Sequence, residues 1–215
     1  MKEINNHKFS TNRLVRIAIL TAILLFLTFT SFGYLKVGVL EITIMHLPVI
    51  VGAILMGQGV GAFLGLVFGL SSFAQCFMGS PLGTFLVQLS PLKTFIVCVV
   101  PRVLMGFLVG VIFSALYKSV KARKLSYVAA SFSGAVLNTV FFMGALFLLF
   151  GGDAGFLSFL GTDKVTLMFI ASMVGINGVL ESVICLPFGF AVERIVYAVN
   201  KNSSAQKSDD STGEA

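Results

Sequence analysis

Apolar runs separated by short polar connections cover most of the chain. Six of these runs are interpreted as membrane-spanning helices, at about Leu14–Ser31, Leu47–Met56, Gly59–Met78, Lys93–Tyr117, Tyr127–Phe150 and Val165–Val199. A helix needs about 20 predominantly apolar residues to cross the hydrocarbon core. The second run is too short for a full crossing, so we expect it to be tilted or to begin in the preceding connection. The pattern predicts an all-α integral membrane protein with six transmembrane helices.

Polar segments divide the chain into a leader, a membrane domain and a tail. Residues 1–13 are polar and basic, residues 14–200 contain the six runs, and residues 201–215 hold no apolar residue beyond alanine. We expect the tail to be disordered, because it cannot bury apolar surface. The first connection is expected to be an ordered loop, and the third to fold over another part of the molecule. The three long connections are Phe32–Met45, Gly79–Leu92 and Gly151–Lys164, which are the first, third and fifth.

Four glycines recur at a spacing of four residues around the third run. They are Gly57, Gly61, Gly65 and Gly69, and this spacing places them on one helical face. Glycine destabilises a soluble helix by about 0.8 to 1 kcal/mol per residue, whereas small residues in a bilayer let neighbouring helices approach closely. The row therefore predicts a helix-packing face, and a sliding or ligand-facing groove is the alternative.

The composition limits the class of protein. Hydrophobic residues make up 57% of the chain and charged residues only 11%, whereas an ordinary soluble domain carries about 25% charge. With 215 residues, six spans leave room for short connections but for no soluble catalytic domain. The net charge of +6 lies at the ends of apolar runs rather than on one polar face, which indicates membrane topology and not a nucleic-acid partner.

Lysine and arginine residues are distributed unevenly between the two sides of this arrangement. Six spans place both termini on one side, and 11 of the 15 basic residues fall there. The other 4 are Lys36, Lys93, Arg102 and Lys164. Cytoplasmic loops of membrane proteins carry the excess of positive charge. We therefore expect a multi-pass protein of the cell membrane with both termini in the cytoplasm.

Four polar side chains fall inside the last three apolar runs, where a charge costs about 2.5 to 3.5 kcal/mol. They are Arg102, Asn138, Asn177 and Glu181. At about 1.5 Å per helical residue, all four lie roughly 16 to 26 Å from the cytoplasmic ends of their helices, in the outer half of a core about 30 Å thick. Asn177 and Glu181 share one helical face because they are four residues apart. The set suits a small polar molecule that enters from outside.

Other interpretations of the polar residues stay open. Arg102 and Glu181 can instead form an ion pair, with the two asparagines cross-linking helices. His46 precedes Pro48 at the start of the second run, where it either satisfies the helix entry or contacts a ligand. Gln75 is a weaker ligand candidate, because its neighbourhood is polar in any case.

The chain carries no recognisable catalytic or metal-binding motif. It lacks a GxxxxGK[ST] phosphate loop, a GxSxG nucleophile elbow and a HExxH zinc motif. Cys76, Cys98 and Cys185 are widely spaced within or beside apolar runs, which is typical of buried thiols and not of a metal or redox motif. We expect no enzymatic activity, no cofactor and no metal.

Three sequence features occur together in one known family. They are the stretch HLPVIVGAILMG-x-GVGAFLGLVFG that begins at His46, the segment PRVLMG from Pro101 to Gly106, and the pair Asn177-x-x-x-Glu181. With the six-span layout from about residue 12 to residue 200, they resemble the substrate-binding S components of energy-coupling factor (ECF) vitamin transporters. Within that family the chain is most similar to the pantothenate type.

The resemblance implies a fold, a function and partners. The implied fold is that of a six-helix S component, whose first, third and fifth connections cap a bound vitamin. In this family an Ala-x-x-x-Ala motif of the first helix packs on the transmembrane T component, and Ala18 and Ala22 match it. The implied partners are a small-molecule vitamin, an EcfT-type scaffold, two ATPase subunits and the lipid bilayer. A protein of this kind binds its ligand but does not catalyse a reaction.

Pantothenate is the leading ligand on this resemblance. Arg102 would neutralise its carboxylate, while Asn138, Asn177 and Glu181 would address its amide and hydroxyl groups. Folate, a cobalamin precursor and a queuosine precursor are alternatives, although the absence of tryptophan disfavours a large flat heterocycle. The alternative from another class is a stand-alone secondary transporter with Arg102 and Glu181 as an ion relay. Dependence of uptake on ATP and partner subunits separates the two classes.

Overall fold

Helices dominate the described part of the chain. The computed structural model describes residues 11–30, 34–37, 40–118 and 123–161, together with residues 175, 178, 179, 187, 190, 191 and 194. The leader to residue 10, most of the sixth predicted span and the tail lie outside the described residues. The elements in chain order are α1 (Thr11–Phe29), β1 (Tyr34–Val37), β2 (Leu40–Thr43), α2 (His46–Met56), α3 (Gln58–Gln75), α4 (Pro81–Leu89), α5 (Pro91–Tyr117), α6 (Arg123–Phe150) and α7 (Ala154–Phe159).

The helical membrane fold class is confirmed. Within the described ranges, three segments are long and apolar enough to cross a membrane: α3, α5 and Leu125–Phe150 of α6. The 11 residues of α2 span only about 16 Å. Eight of them are buried, so α2 is an interior helix of the bundle rather than an independent crossing. The expectation that the second run is too short is thereby confirmed.

The first long connection contains a β-hairpin that the sequence analysis did not predict. Strands β1 and β2 pair antiparallel, with Tyr34 opposite Thr43 and Leu35 opposite Ile42. Aromatic and β-branched residues favour extended backbone, and both strands contain them. The hairpin leads directly into the start of α2.

The third and fifth connections each fold into a short helix with its own N-cap. Ser80 caps α4 by accepting a hydrogen bond from the backbone N–H of Gly83. The Asp153 carboxylate caps α7 by accepting from the N–H groups of Gly155 and Phe156, at 2.9 and 3.1 Å. Such caps satisfy backbone donors that have no partner inside the helix. The two polar connections therefore become ordered elements at one end of the bundle.

Close packing of α3 on α5 explains three of the four spaced glycines. A Cβ atom at Gly61 or Gly65 would overlap the backbone of α5, and one at Gly69 would lie 2.7 Å from Val99 Cα. The predicted packing face is therefore confirmed for these positions. Gly57 departs from it, because it forms the turn between α2 and α3 with a φ of 91°. That left-handed backbone conformation favours glycine.

The neighbours of these glycines give the direction of the helices. The register of α3 on α5 runs Gly61 beside Gly106, Gly65 beside Arg102 and Gly69 beside Val99. Helices α3 and α5 are therefore antiparallel, and α2 runs parallel to α5 because a single glycine reverses the chain before α3. Helix α6 is antiparallel to α5, since its Gly134 lies beside Val109 and its Phe142 beside Arg102.

Buried apolar side chains form two clusters along the bundle. The central cluster joins α1, α2, α3, α5 and α6 and includes Leu24, Ile50, Leu64, Phe68, Met105, Val109 and Ala135. The cap cluster joins α4 and α7 to the neighbouring ends of α5 and α6, and consists of Leu82, Leu86, Val97, Met143, Leu146, Phe150 and Phe156. The two short helices are thus packed onto the end of the bundle by their own apolar faces.

Candidate functional site

Arg102 is a buried cation within α5. Only 5% of its surface is exposed. Its Nη1 atom donates a hydrogen bond to the carbonyl oxygen of Val97 at 2.8 Å. In a regular helix that carbonyl would accept from the residue four positions later, but that residue is Pro101, which has no N–H. Pro101 therefore leaves the Val97 carbonyl available to accept from the guanidinium. This hydrogen bond holds the guanidinium toward the end of the bundle that carries α4 and α7.

Two phenylalanine rings flank this guanidinium. The Arg102 Cζ atom lies 4.2 Å from the ring centroid of Phe142 on α6 and 5.4 Å from that of Phe68 on α3. Both distances are within the range of a cation–π interaction, which strengthens when the cation is desolvated. Phe68 belongs to the central cluster, whereas Phe142 packs against the cap cluster. The cation therefore lies at the boundary between the two apolar clusters, with a fixed orientation and little water.

Asn138 lies on α6, one helical turn before Phe142. It is 3% exposed and precedes Phe142 by four residues, so both side chains project from the same helical face. An amide here provides both a donor and an acceptor. The structure thus brings Arg102 and Asn138 to neighbouring heights in the bundle interior.

His46 lies at the same height as Asn138. Its side chain is fully buried at the first position of α2. A Cβ atom at Gly134 would lie 2.5 Å from Ile50 Cδ1, so α2 and α6 are adjacent at that level. Because the two helices are antiparallel, His46 and Asn138 each lie one turn nearer the cap than this contact. The imidazole and the amide are therefore interior groups of the same layer.

Helices α4 and α7 cover the end of the bundle above Arg102. Phe85 of α4 and Phe159 of α7 stack with ring centroids 4.5 Å apart and planes 12° from parallel. Phe156 is fully buried against Phe150, with centroids 6.0 Å apart. This stacked pair joins the two short helices directly to each other. The two short helices therefore pack together on the end of the bundle that carries Val97 and Phe150.

Gln75 has a defined structural contact. Its amide nitrogen donates a hydrogen bond to the backbone carbonyl of Thr28, which joins the end of α3 to the end of α1. The Thr28 hydroxyl donates in turn to the carbonyl of Leu24 at 2.9 Å. Gln75 therefore anchors α1 to the bundle beside the predicted site. A role in ligand contact stays a prediction.

The remaining predicted site residues fall into two groups. Asn177 and Glu181 lie outside the described residues. Ala18 and Ala22 are exposed on α1. Helix α1 buries a narrow face through Leu24 and turns the two alanines outward. The outward face carries large apolar side chains at Leu14, Val15, Ile19, Ile23, Leu25, Phe26 and Phe29.

Sequence reasoning missed the groups that hold Arg102 in place. Pro101 offered a usable signal, because a proline inside a helix releases the carbonyl four residues earlier and an adjacent arginine can reach it. The rings of Phe68 and Phe142 offered none, since the chain has 22 phenylalanines. Among the described residues, no group of three or more His, Cys, Asp or Glu side chains is arranged to hold a metal ion.

Comparison with known proteins assigns the chain to a family. A family model described as the ECF transporter, substrate-specific component, matches residues 12–191. A relative, the pantothenic acid transporter PanT of Lactococcus lactis subsp. cremoris (strain MG1363), is 29% identical over 171 residues, which cover 75% of this chain and 80% of the relative. The family match spans all the described helices apart from the first residue of α1. The chain therefore belongs to the family of substrate-specific components of ECF transporters.

Proposed function

We propose that this substrate-specific component binds pantothenate in the layer between the central cluster and the cap helices. The observation that carries the proposal is the guanidinium of Arg102, buried and oriented by Val97 and two aromatic rings. Pantothenate is flexible, non-aromatic and carboxylated. An arginine fork matches a carboxylate through two parallel hydrogen bonds. The similarity to the pantothenic acid transporter PanT favours the same ligand.

Each candidate residue has a distinct role in this proposal. Arg102 neutralises the ligand carboxylate, and the rings of Phe68 and Phe142 keep the guanidinium in place and exclude water. Asn138 and His46, one turn further into the bundle, bond the ligand's amide and hydroxyl groups. The ligand lies along the bundle axis, with its carboxylate nearest the cap.

Two residues outside the described ranges complete the set. Asn177 and Glu181 share a helical face by their spacing and provide an amide and a carboxylate. In our proposal Glu181 pairs with Arg102 in the empty protein, and the ligand carboxylate replaces it. Such an exchange avoids leaving a buried charge without a partner, which would be strongly destabilising.

Transport requires partners in this proposal. The component binds without catalysing a reaction, and it couples to an EcfT-type T component and two ATPases in the cell membrane. Ala18 and Ala22 form the centre of the docking face, because small exposed residues on an apolar helix let a partner helix approach closely. Both termini lie in the cytoplasm, as the distribution of lysine and arginine indicates.

A reconstitution experiment tests the proposed division of labour. The full chain is placed in liposomes alone and with a T component and two ATPases, and uptake of radiolabelled pantothenate is measured with and without ATP. We expect binding by the chain alone and uptake only with all partners and ATP. Uptake by the chain alone, driven by an ion gradient, would instead establish a stand-alone secondary transporter.

A further inference from the structure

Two cysteines that are distant in sequence come together at the cap end of α3. The Sγ atoms of Cys76 and Cys98 lie 3.8 Å apart. Both residues are buried, with 5% and 4% of their surfaces exposed. The sequence analysis predicted buried thiols, and the burial of these two is confirmed. It did not predict their proximity, because they are 22 positions apart and no spacing motif connects them.

The antiparallel packing of α3 and α5 explains the pairing. Gly69 lets α3 approach the α5 backbone at Cys98 and Val99. Cys76 follows Gly69 by seven residues, which returns it to the same helical face. The Cys76 thiol is also 3.4 Å from the Ser72 carbonyl, and its own carbonyl accepts a hydrogen bond from Thr84 of α4 at 3.0 Å. The position of the sulfur is thus set by three elements of the fold.

We propose that Cys76 and Cys98 form a redox-sensitive thiol pair, which a peroxide converts into a disulfide between the end of α3 and α5. A disulfide needs a sulfur–sulfur distance of about 2.05 Å. The thiols are already in van der Waals contact, so a further approach of about 1.8 Å brings the two sulfurs to bonding distance. The third cysteine of the chain, Cys185, lies outside the described residues.

The reaction consumes one hydrogen peroxide per pair. One thiolate attacks a peroxide oxygen, the O–O bond breaks, and a sulfenic acid forms while hydroxide leaves. The second sulfur attacks the sulfenic sulfur, the S–O bond breaks, and the S–S bond forms. The leaving hydroxide takes the remaining thiol proton. The sulfurs together lose two electrons, and the peroxide is reduced to two molecules of water.

The surroundings of Cys76 give a small oxidant a short route to the pair. Phe77 and Met78 follow it in a turn and are 62% and 65% exposed. An exposed turn opens locally at little free-energy cost. Hydrogen peroxide is small enough to use such openings, whereas a bulky alkylating reagent is excluded more strongly. The pair is therefore buried but close to the surface.

The disulfide lies where it affects the cap. A Cβ atom at Gly83 of α4 would lie 2.7 Å from Cys76 Sγ, so movement of this sulfur changes the packing of α4. Cys98 precedes Arg102 by four residues on the same face of α5. If the proposed function holds, fixing α3 to α5 at this point slows the exchange of ligand through the cap.

Intact-protein mass spectrometry tests the site itself. The full chain with Cys185→Ser, purified in detergent, is treated with hydrogen peroxide and compared with the same chain carrying Cys76→Ser or Cys98→Ser. We expect a loss of about 2 Da, reversed by dithiothreitol, only when both thiols are present. Non-reducing electrophoresis shows that the product is monomeric. Oxygen added to the 8 methionines is subtracted by comparison with the two single-cysteine variants. Absence of the 2 Da difference from the folded protein would overturn the proposal.

A second measurement covers the case in which a variant fails to fold. The wild-type chain is oxidised, digested without reduction and analysed for a peptide that links Cys76 to Cys98, which the proposal requires. Its absence, with both thiols recovered unlinked, would contradict the proposal. Release of radiolabelled pantothenate from oxidised protein is then expected to slow severalfold relative to reduced protein. Unchanged release would remove the effect on the cap, and failure to bind pantothenate would instead refute the proposed function.

Discussion

The guanidinium of Arg102 donates to the carbonyl oxygen of Val97, five residues earlier on the same helix, at 2.8 Å. Pro101 leaves this carbonyl without its usual helical donor, because proline has no N–H. The proline thus creates the acceptor that orients the adjacent arginine. This contact fixes a cation beneath the cap, and the predictions for ligand binding follow from it.

Replacing Arg102 is expected to remove recognition of a carboxylate. Arg102→Ala should weaken pantothenate binding by roughly 30-fold or more, because loss of a buried charged hydrogen bond costs about 2 to 5 kcal/mol. Panthenol, which has an alcohol in place of the carboxylate, should bind the wild type weakly. In the variant the two compounds should bind with similar affinity. Titration calorimetry of both compounds on both proteins measures this coupling.

A matched control replaces Lys93, another basic residue of α5. Lys93 is exposed, and its Nζ atom donates to the Leu149 carbonyl at 3.1 Å. Lys93→Gln removes a positive charge from α5 without changing the buried layer, so it should keep the preference for pantothenate over panthenol. If Arg102→Ala also keeps that preference, Arg102 has a structural role and not a ligand-binding one.

Pro101→Ala is expected to separate helix stability from ligand affinity. The new N–H at position 101 can donate to Val97 and compete with the guanidinium for it. Thermal stability should not fall, because an interior proline destabilises a helix. Pantothenate affinity should fall by roughly tenfold or more, since a hydrogen bond from a charged donor contributes about 1.5 to 3 kcal/mol. An affinity equal to that of the wild type would show that the proline does not orient Arg102.

The sequence predicted the bundle better than the details of the site. Periodic apolar runs and spaced glycines depend on local chemistry, so the helices and the packing face of α3 were predictable. The depth of Arg102 and Asn138 in the bilayer was estimated from helix length alone and stays a prediction. The rings around Arg102 and the contact of Cys76 with Cys98 depend on which helices are neighbours, and one sequence does not contain that information. The β-hairpin was missed because its strands are only four residues long.

Gly65→Ala is expected to destabilise the packing of α3 on α5. A Cβ atom there would overlap the Arg102 carbonyl, so the helices must separate. Overpacking of this kind costs about 1 to 3 kcal/mol. Gly144→Ala is the matched control, because no described atom lies within 4 Å of a Cβ at that helical position. Thermal unfolding in detergent should show a lower midpoint for Gly65→Ala alone, and equal midpoints would contradict the packing face.

Phe85→Ala is expected to weaken the contact between the two cap helices. A stacked aromatic pair contributes about 0.5 to 1.5 kcal/mol, so pantothenate should dissociate roughly two to ten times faster. Phe159→Ala should have the same effect, and the double variant should add little further. Leu148→Ala, at a position that is 85% exposed on α6, serves as the control. Additive effects of the two phenylalanine variants on the dissociation rate would show that the rings act independently.

Ala18→Trp and Ala22→Trp are expected to separate binding from transport. An indole on the exposed face of α1 blocks close approach of a partner helix but does not touch the buried layer. Both variants should bind pantothenate normally and fail in ATP-dependent uptake with the partner subunits. Leu148→Trp places an indole on another exposed face and should keep uptake. Normal uptake by the α1 variants would place the docking surface elsewhere.

The most direct test is calorimetric titration of the purified, detergent-solubilised chain with pantothenate, after mass spectrometry has shown that the sample is free of co-purified ligand. The account predicts one-to-one binding with nanomolar affinity in the absence of any partner subunit. No heat of binding from a folded, ligand-free sample would contradict pantothenate as the ligand.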